Sequence, residues 1–123
     1  MEGQYTLGIV GARTFTEYHQ LERALGGIIL EYGLPKKVVS GGLRGANRLA
    51  IMWAINMGIP IVNHKLNWNK NGKSAEYVRN LKIVEDSSLL LAFPSCAGKE
   101  TQRIIKTAQE LQTPCVIITD WES

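Results

Sequence analysis

Glycines, hydroxyls and cations gather in a few short stretches of this chain: GARTF at 11–15, SGGLRGAN at 40–47, the polar run from Asn63 and His64 through Trp68 to Lys73, and Pro94 to Thr101. The SGGLRGAN stretch carries the strongest chemical signal. Gly41, Gly42 and Gly45 let backbone N–H groups approach a phosphate, and a helix that begins just after them adds a favourable dipole. Arg44 can pair with such an anion through two parallel hydrogen bonds, with Ser40 as a further donor and Asn47 to orient the group. A tight strand-to-helix turn needs glycines too, but three of them together with Ser and Arg favour the phosphate reading. The spacing is neither the G-x-G-x-x-G dinucleotide fingerprint nor a P-loop, because no G-K-[ST] ends it. NAD-type hydride chemistry and NTP hydrolysis both lose support.

The other candidates carry two readings each. Gly11 ends the first strand and Arg13 follows it, where Arg13 either reaches a phosphate or stacks on a base or closes a loop as a surface guanidinium. Trp68, among Asn67, Asn69, Lys70 and Lys73, either covers a nucleobase as part of a lid or anchors its loop on the core. Thr101 opens the last helix and is placed to orient a phosphate. Glu100 is the nearby carboxylate that a catalytic role could use, yet a first-turn acid also complements the helix dipole, and that reading is preferred. Glu85 and Asp86 read as solvated or capping residues at the opposite edge. His19 and His64 lack spaced partners and Cys96 and Cys115 make no Cys/His pattern, so no metal and no cofactor is expected. Lys99, Arg103 and Lys106 form a basic helical stripe, a solvated face or a polyanion contact. Catalysis finds little machinery here: no paired carboxylates, no metal constellation and no base beside Ser40.

Positioning these residues requires alternating strands and helices. Tyr5 to Val10 reads as a buried strand ending at Gly11. From Thr16, an expected N-cap, apolar residues recur three and four apart to Tyr32 before Gly33 and Pro35 stop the helix. Lys37 to Val39 is a second strand. Leu49, Met52, Trp53, Ala54 and Ile55 mark a second helix, closed by Gly58, with Trp53 assigned to the core. Ile59 to Val62 is a third strand, 63–73 a polar loop, Ala75 to Val84 a helix and Leu89 to Phe93 a fourth strand. Thr101 to Leu111 is helical and Cys115 to Ile118 a last strand. Strands separated by helices of this length favour right-handed parallel crossovers, hence an α/β three-layer sandwich with a mostly parallel sheet of about five strands. Ligands of such sheets bind outside the carboxyl ends of the strands, where the chemistry-bearing stretches fall.

With 123 residues, 45% of them apolar, residues 1–123 are expected to form a single domain rather than a multidomain enzyme. A formal charge of +3 is too small to make general nucleic-acid binding the default. The N-terminus carries no basic n-region, and the most apolar stretch, 50–62, is broken by Asn56, Gly58 and Pro60, so neither a signal peptide nor a membrane contact is expected. Few cysteines fit a reducing, cytoplasmic setting.

GARTF, SGGLRGANRLA at 40–50, the stretch from Trp68 through Gly72-Lys73 to Arg79-Asn80, and AFPSCAGKET at 92–101 resemble the small Rossmann-like SLOG proteins related to YspA and YpsA. The resemblance implies a nucleotide-binding fold, kin to phosphoribohydrolases and to the Rossmann core of DprA, and it makes Arg79 a ligand contact. Departures accompany it. Asn47 stands where the pattern has Asp, Glu76 and Tyr77 follow Ala75 where it has Gly and a small residue, and the last loop is longer and poorer in glycine. The phosphoribohydrolases carry a Glu three residues after the matching Thr, where this chain has Ile104, and an apolar residue cannot act as general acid or base. The expected function is therefore binding of a small nucleotide or nucleotide-derived signal, ADP-ribose-like or an oligonucleotide messenger, by a sensor or sequestering protein that self-associates. A phosphoribohydrolase is the first alternative and a DprA-like single-strand nucleic-acid binder the second.

Overall fold

The computed structural model describes residues 5–41 and 45–122. Gly42 and Arg44, both expected to hold phosphate, lie outside the described residues, as does the side chain of Trp68.

The chain runs β1 (Thr6–Gly11), α1 (Tyr18–Tyr32), β2 (Lys37–Ser40), α2 (Ala46–Met57), β3 (Ile61–Asn63), a short α3 (Trp68–Asn71) with a 3-10 turn (Gly72–Ser74), α4 (Ala75–Asp86), β4 (Leu89–Phe93), α5 (Glu100–Glu110), β5 (Cys115–Ile117) and a 3-10 turn (Asp120–Glu122). All four strand pairings are parallel, in the order β3-β2-β1-β4-β5. Helices cover both faces, so the fold is the expected three-layer, Rossmann-like α/β sandwich. Alternate residues of the central strands feed the two layers. Leu7, Ile9, Val38, Leu89, Leu91 and Phe93 pack with α1 and α2, whereas Val10, Val39, Leu90 and Ala92 pack with α4 and α5. Among the described residues, no helix is long and apolar enough to cross a membrane.

Several local expectations are corrected. Thr16 is not the N-cap of α1: the helix follows Glu17, whose backbone is non-helical (φ −92°, ψ 89°), and no side chain caps it. The third strand starts at Ile61 rather than Ile59. Ile59 N–H is already bonded to Ala54 O, and Pro60, which has no N–H, contributes only its carbonyl, to Val38 N–H. The polar run 63–73 is not a plain loop but contains α3 and the start of the 3-10 turn. Within α2 the buried face is Ala46, Ala50, Trp53 and Ala54, so Trp53 is core as expected while Met52 and Ile55 are exposed. Small residues at 46, 50 and 54 let the helix lie close to the sheet, which turns positions 52 and 55 outward.

Candidate functional site

The strand order creates one geometrically special place. From β1 the chain winds outward through β2 and β3, then returns to lay β4 on the other side of β1 and continues to β5. The loops after β1 and β4 therefore leave the sheet in opposite directions and open a crevice between them, the topological switch point of an open parallel sheet. A cleft of about 860 Å³ lies there, within the range of small-molecule sites. One wall comes from the loop after β1, from Gly11 to Glu17; the other comes from Ser95 to Thr101 after β4, with Glu76 of α4, Arg103 of α5 and Trp121 completing it.

Each wall is held by identifiable contacts. Ala12 N–H donates to Phe93 O (2.9 Å), which extends the β1–β4 ladder to the cleft edge. Phe15, fully buried, stacks on Phe93 (centroids 4.4 Å apart) and meets Trp121 edge-on (5.0 Å), so an aromatic anchor sits beneath a loop whose neighbouring side chains are exposed. Trp121 Nε1–H donates to Pro94 O (2.9 Å) and ties the tail to the opposite wall. That wall is shaped by Ser95 Oγ, which accepts from Gly98 N–H (2.8 Å).

Of the residues expected to bind ligand, Gly11, Arg13 and Thr101 line this cleft, as does Glu100. The described part of the 40–47 stretch lies directly behind it. Gly45 sits at φ +64°, and a Cβ there would strike Ala12 O and the Arg13 backbone, so glycine is required both by the turn and by the close approach. This contact fastens the end of the glycine loop to the cleft wall. Gly11 packs against Ala46 of α2, and Gly41 is enclosed by Arg79 and Ile83 of α4 and by His64 O, which accounts for both glycines by packing.

Ser40 and Asn47 form a buried bracket. Ser40 Oγ lies 2.7 Å from Ile9 O and 2.8 Å from Asn47 Oδ1. A hydroxyl has one proton to donate, and with it on Ile9 O the bracket closes when the Asn47 amide is turned to present its N–H to Oγ. An asparagine can satisfy both contacts at once, whereas an aspartate, which only accepts, would compete with Ile9 O for the one Ser40 proton. Neither residue lines the cleft.

Arg79 is 5% exposed. Its Nε donates to Asn80 Oδ1 (3.1 Å) and its Nη2 to Glu100 Oε1 (2.6 Å). Glu100, the first residue of α5, thus holds a buried cation in addition to sitting at a helix N-terminus. A second pair, Arg103 Nε to Glu76 Oε1 (2.7 Å), joins the same two helices at the surface. Of the basic stripe, Lys99 and Arg103 reach the cleft lining and Lys106 does not. Ile104 is buried in the α4/α5 layer of the core.

Sequence reasoning missed Glu17 and Trp121, for which no motif speaks, and the engagement of Glu76 with Arg103. It also read Asp86 as a solvated or capping residue and His64 as lacking a spaced partner. Asp86 Oδ2 instead lies 2.6 Å from His64 Nε2, a contact between segments 22 positions apart that local pattern cannot reveal. Among the described residues no group of three or more His, Cys, Asp or Glu could hold a metal ion. Burial pushes the Cys115 thiol up to about 11.

The model of the YspA, cpYpsA-related SLOG family matches residues 8–71, from β1 through the glycine loop to α3. The Gene 61 protein of Mycobacterium phage D29 is 34% identical over 95 residues, which covers 72% of this chain and 74% of that protein. No solved structure matches. With more than half the chain matched by the family model, and the matched half carrying both Arg13 and the glycine loop, the chain belongs to the YspA, cpYpsA-related SLOG family.

Proposed function

We propose that this protein binds a small nucleotide or nucleotide-derived signal in the cleft at the carboxyl edge of the sheet, and that it senses or sequesters the molecule rather than consuming it. One observation carries the reading: the cleft opens at the β1/β4 switch point, with the glycine loop of the family motif pinned behind it through Gly45. In this reading Arg13 and the glycine loop hold phosphate, Thr101 orients it, and Trp121 walls the side where a base or sugar rests. Burial of Ile104 leaves the position of the hydrolase acid without a carboxylate, and Glu100 is committed to Arg79. The kinship with a phage-encoded protein fits a sequestering role.

The test is mass spectrometry of nucleotides released on denaturing gently purified protein, followed by incubation of any species found with fresh protein. An intact nucleotide before and after incubation is the expected result. Appearance of free base with ribose phosphate would establish glycosidic cleavage and replace this reading with the phosphoribohydrolase one.

A further inference from the structure

The cleft's own charges are balanced, which is unusual for a place that receives an anion. Among the described residues its lining holds three cations, Arg13, Lys99 and Arg103, and three acids, Glu17, Glu76 and Glu100. Two of the acids are accounted for within the protein: Glu76 by Arg103 and Glu100 by Arg79. Glu17 is not. Among the described residues it has no ion pair, and although it occupies the N-cap position of α1 its side chain makes no cap hydrogen bond. Its backbone is nevertheless fixed, because Glu17 O accepts from Leu21 N–H (3.2 Å) and the preceding turn is anchored by buried Phe15. An exposed carboxylate therefore borders the cleft on a rigid wall, four residues from Arg13, with no structural task.

A carboxylate only accepts hydrogen bonds, and its two oxygens match the paired O–H groups of a vicinal diol. In dinucleotide folds an acidic residue about 20 positions beyond the phosphate-binding turn accepts from a ribose hydroxyl, a precedent for the chemistry though not for the position. The same charge repels additional phosphates, since a polyphosphate would crowd anions against it in a cleft where, among the described residues, Arg13 and Lys99 are the cations outside an ion pair. Resting on the nucleotide reading above, we infer that Glu17 is a specificity-determining residue that accepts from the 2′ and 3′ hydroxyls of a ribose. The site then takes ligands with a free cis-diol, as in an ADP-ribose-like molecule. It disfavours fully cyclised oligonucleotides, whose 3′ oxygens are esterified.

Calorimetry on the full chain with the four ribonucleoside 5′-monophosphates, each beside its 2′,3′-dideoxy counterpart, tests this. At least one ribonucleotide should bind about tenfold or more tightly than its dideoxy form, the range for hydrogen bonds to a charged group. Glu17→Ala should reduce that preference below about threefold, by weakening the ribonucleotide relative to its dideoxy form. Glu17→Gln, which keeps one acceptor oxygen, should fall between. Binding without a diol preference, or a preference that survives Glu17→Ala, would overturn the role of Glu17 and leave nucleotide binding standing. Absence of any binding would overturn both readings.

Discussion

Two ion pairs link α4 to α5 beside the cleft, and their different burial makes them a controlled comparison. Arg79 is 5% exposed and its partner Glu100 37%, whereas Arg103 and Glu76 are 55% and 36% exposed. Glu100→Gln removes the charge opposite the buried Arg79 guanidinium and keeps one neutral acceptor oxygen, with Asn80 as the other side-chain partner among the described residues. Breaking a fully buried pair from one side costs about 3–5 kcal/mol. Glu100 is reached by water, so the loss should fall to the range of a charged hydrogen bond, about 1.5–3 kcal/mol. Glu76→Gln should cost about 0.2–1 kcal/mol, as exposed pairs do. Urea unfolding followed by circular dichroism reads the difference: with a slope of about 1–3 kcal/mol/M, a loss of about 2 kcal/mol moves the midpoint by about 1 M. The pair Arg79→Met with Glu100→Gln should be less destabilised than the sum of the single variants by about 1 kcal/mol or more, because both ends of the buried pair are then removed. If Glu100→Gln costs no more than Glu76→Gln, or the double-mutant cycle shows no coupling, Glu100 does not hold Arg79 in solution. Its carboxylate would then be available for other chemistry.

Other perturbations probe the bracket and the wall. Gly45→Ala combines a left-handed backbone with a clash against Ala12 O, and should lower stability by about 1–3 kcal/mol and weaken nucleotide binding, read by unfolding and calorimetry. Asn47→Asp makes a buried carboxylate compete with Ile9 O for the single Ser40 proton; a midpoint loss equivalent to about 1–3 kcal/mol is expected, and an unchanged midpoint would contradict the bracket. Arg13→Ala touches only an exposed side chain, so stability should stay within about 0.5 kcal/mol while nucleotide affinity falls about tenfold. Cys115 is protonated in the folded state above the pH at which an unfolded thiol ionises. Its contribution to stability is therefore complete below the ordinary value of 9.0 and lost as pH rises toward about 11. Cys115→Ala should flatten that part of the stability–pH curve.

Much of the architecture was readable because its signals are local. The apolar run Leu89–Phe93 coincides with β4, and the three-and-four spacing of Leu21, Leu25 and Ile28 with the buried face of α1. Misreadings arose where a tertiary contact decides. Met52 and Ile55 fit a helical period, but the small residues of α2 set which side meets the sheet. The short helix at Trp68–Asn71 sits in a run whose polar composition announces a loop. At the site, residues following strands were identifiable from the rule that ligands meet the carboxyl ends, and Gly11, Arg13 and Thr101 do line the cleft. The Arg79–Glu100 pair and the Trp121 wall join positions far apart in the chain, and spacing carries no information about them.

The switch-point origin of the cleft also bears on how the protein folds. One wall belongs to the chain's opening strand–helix turn and the other to its closing third, and the two meet only when β1 pairs with β4, Leu7 alongside Leu89. The β1–α1–β2–α2–β3 portion can assemble through contacts between neighbours in sequence, but it contains only one side of the cleft. Closing the β1–β4 ladder carries the larger loop-closure cost and is the slower event in a topology of this kind. Completion of the cleft is thus tied to the most non-local strand pairing of the sheet. A ligand that bridges the walls would act as a staple across that seam, and would slow its opening more than that of any other part of the sheet.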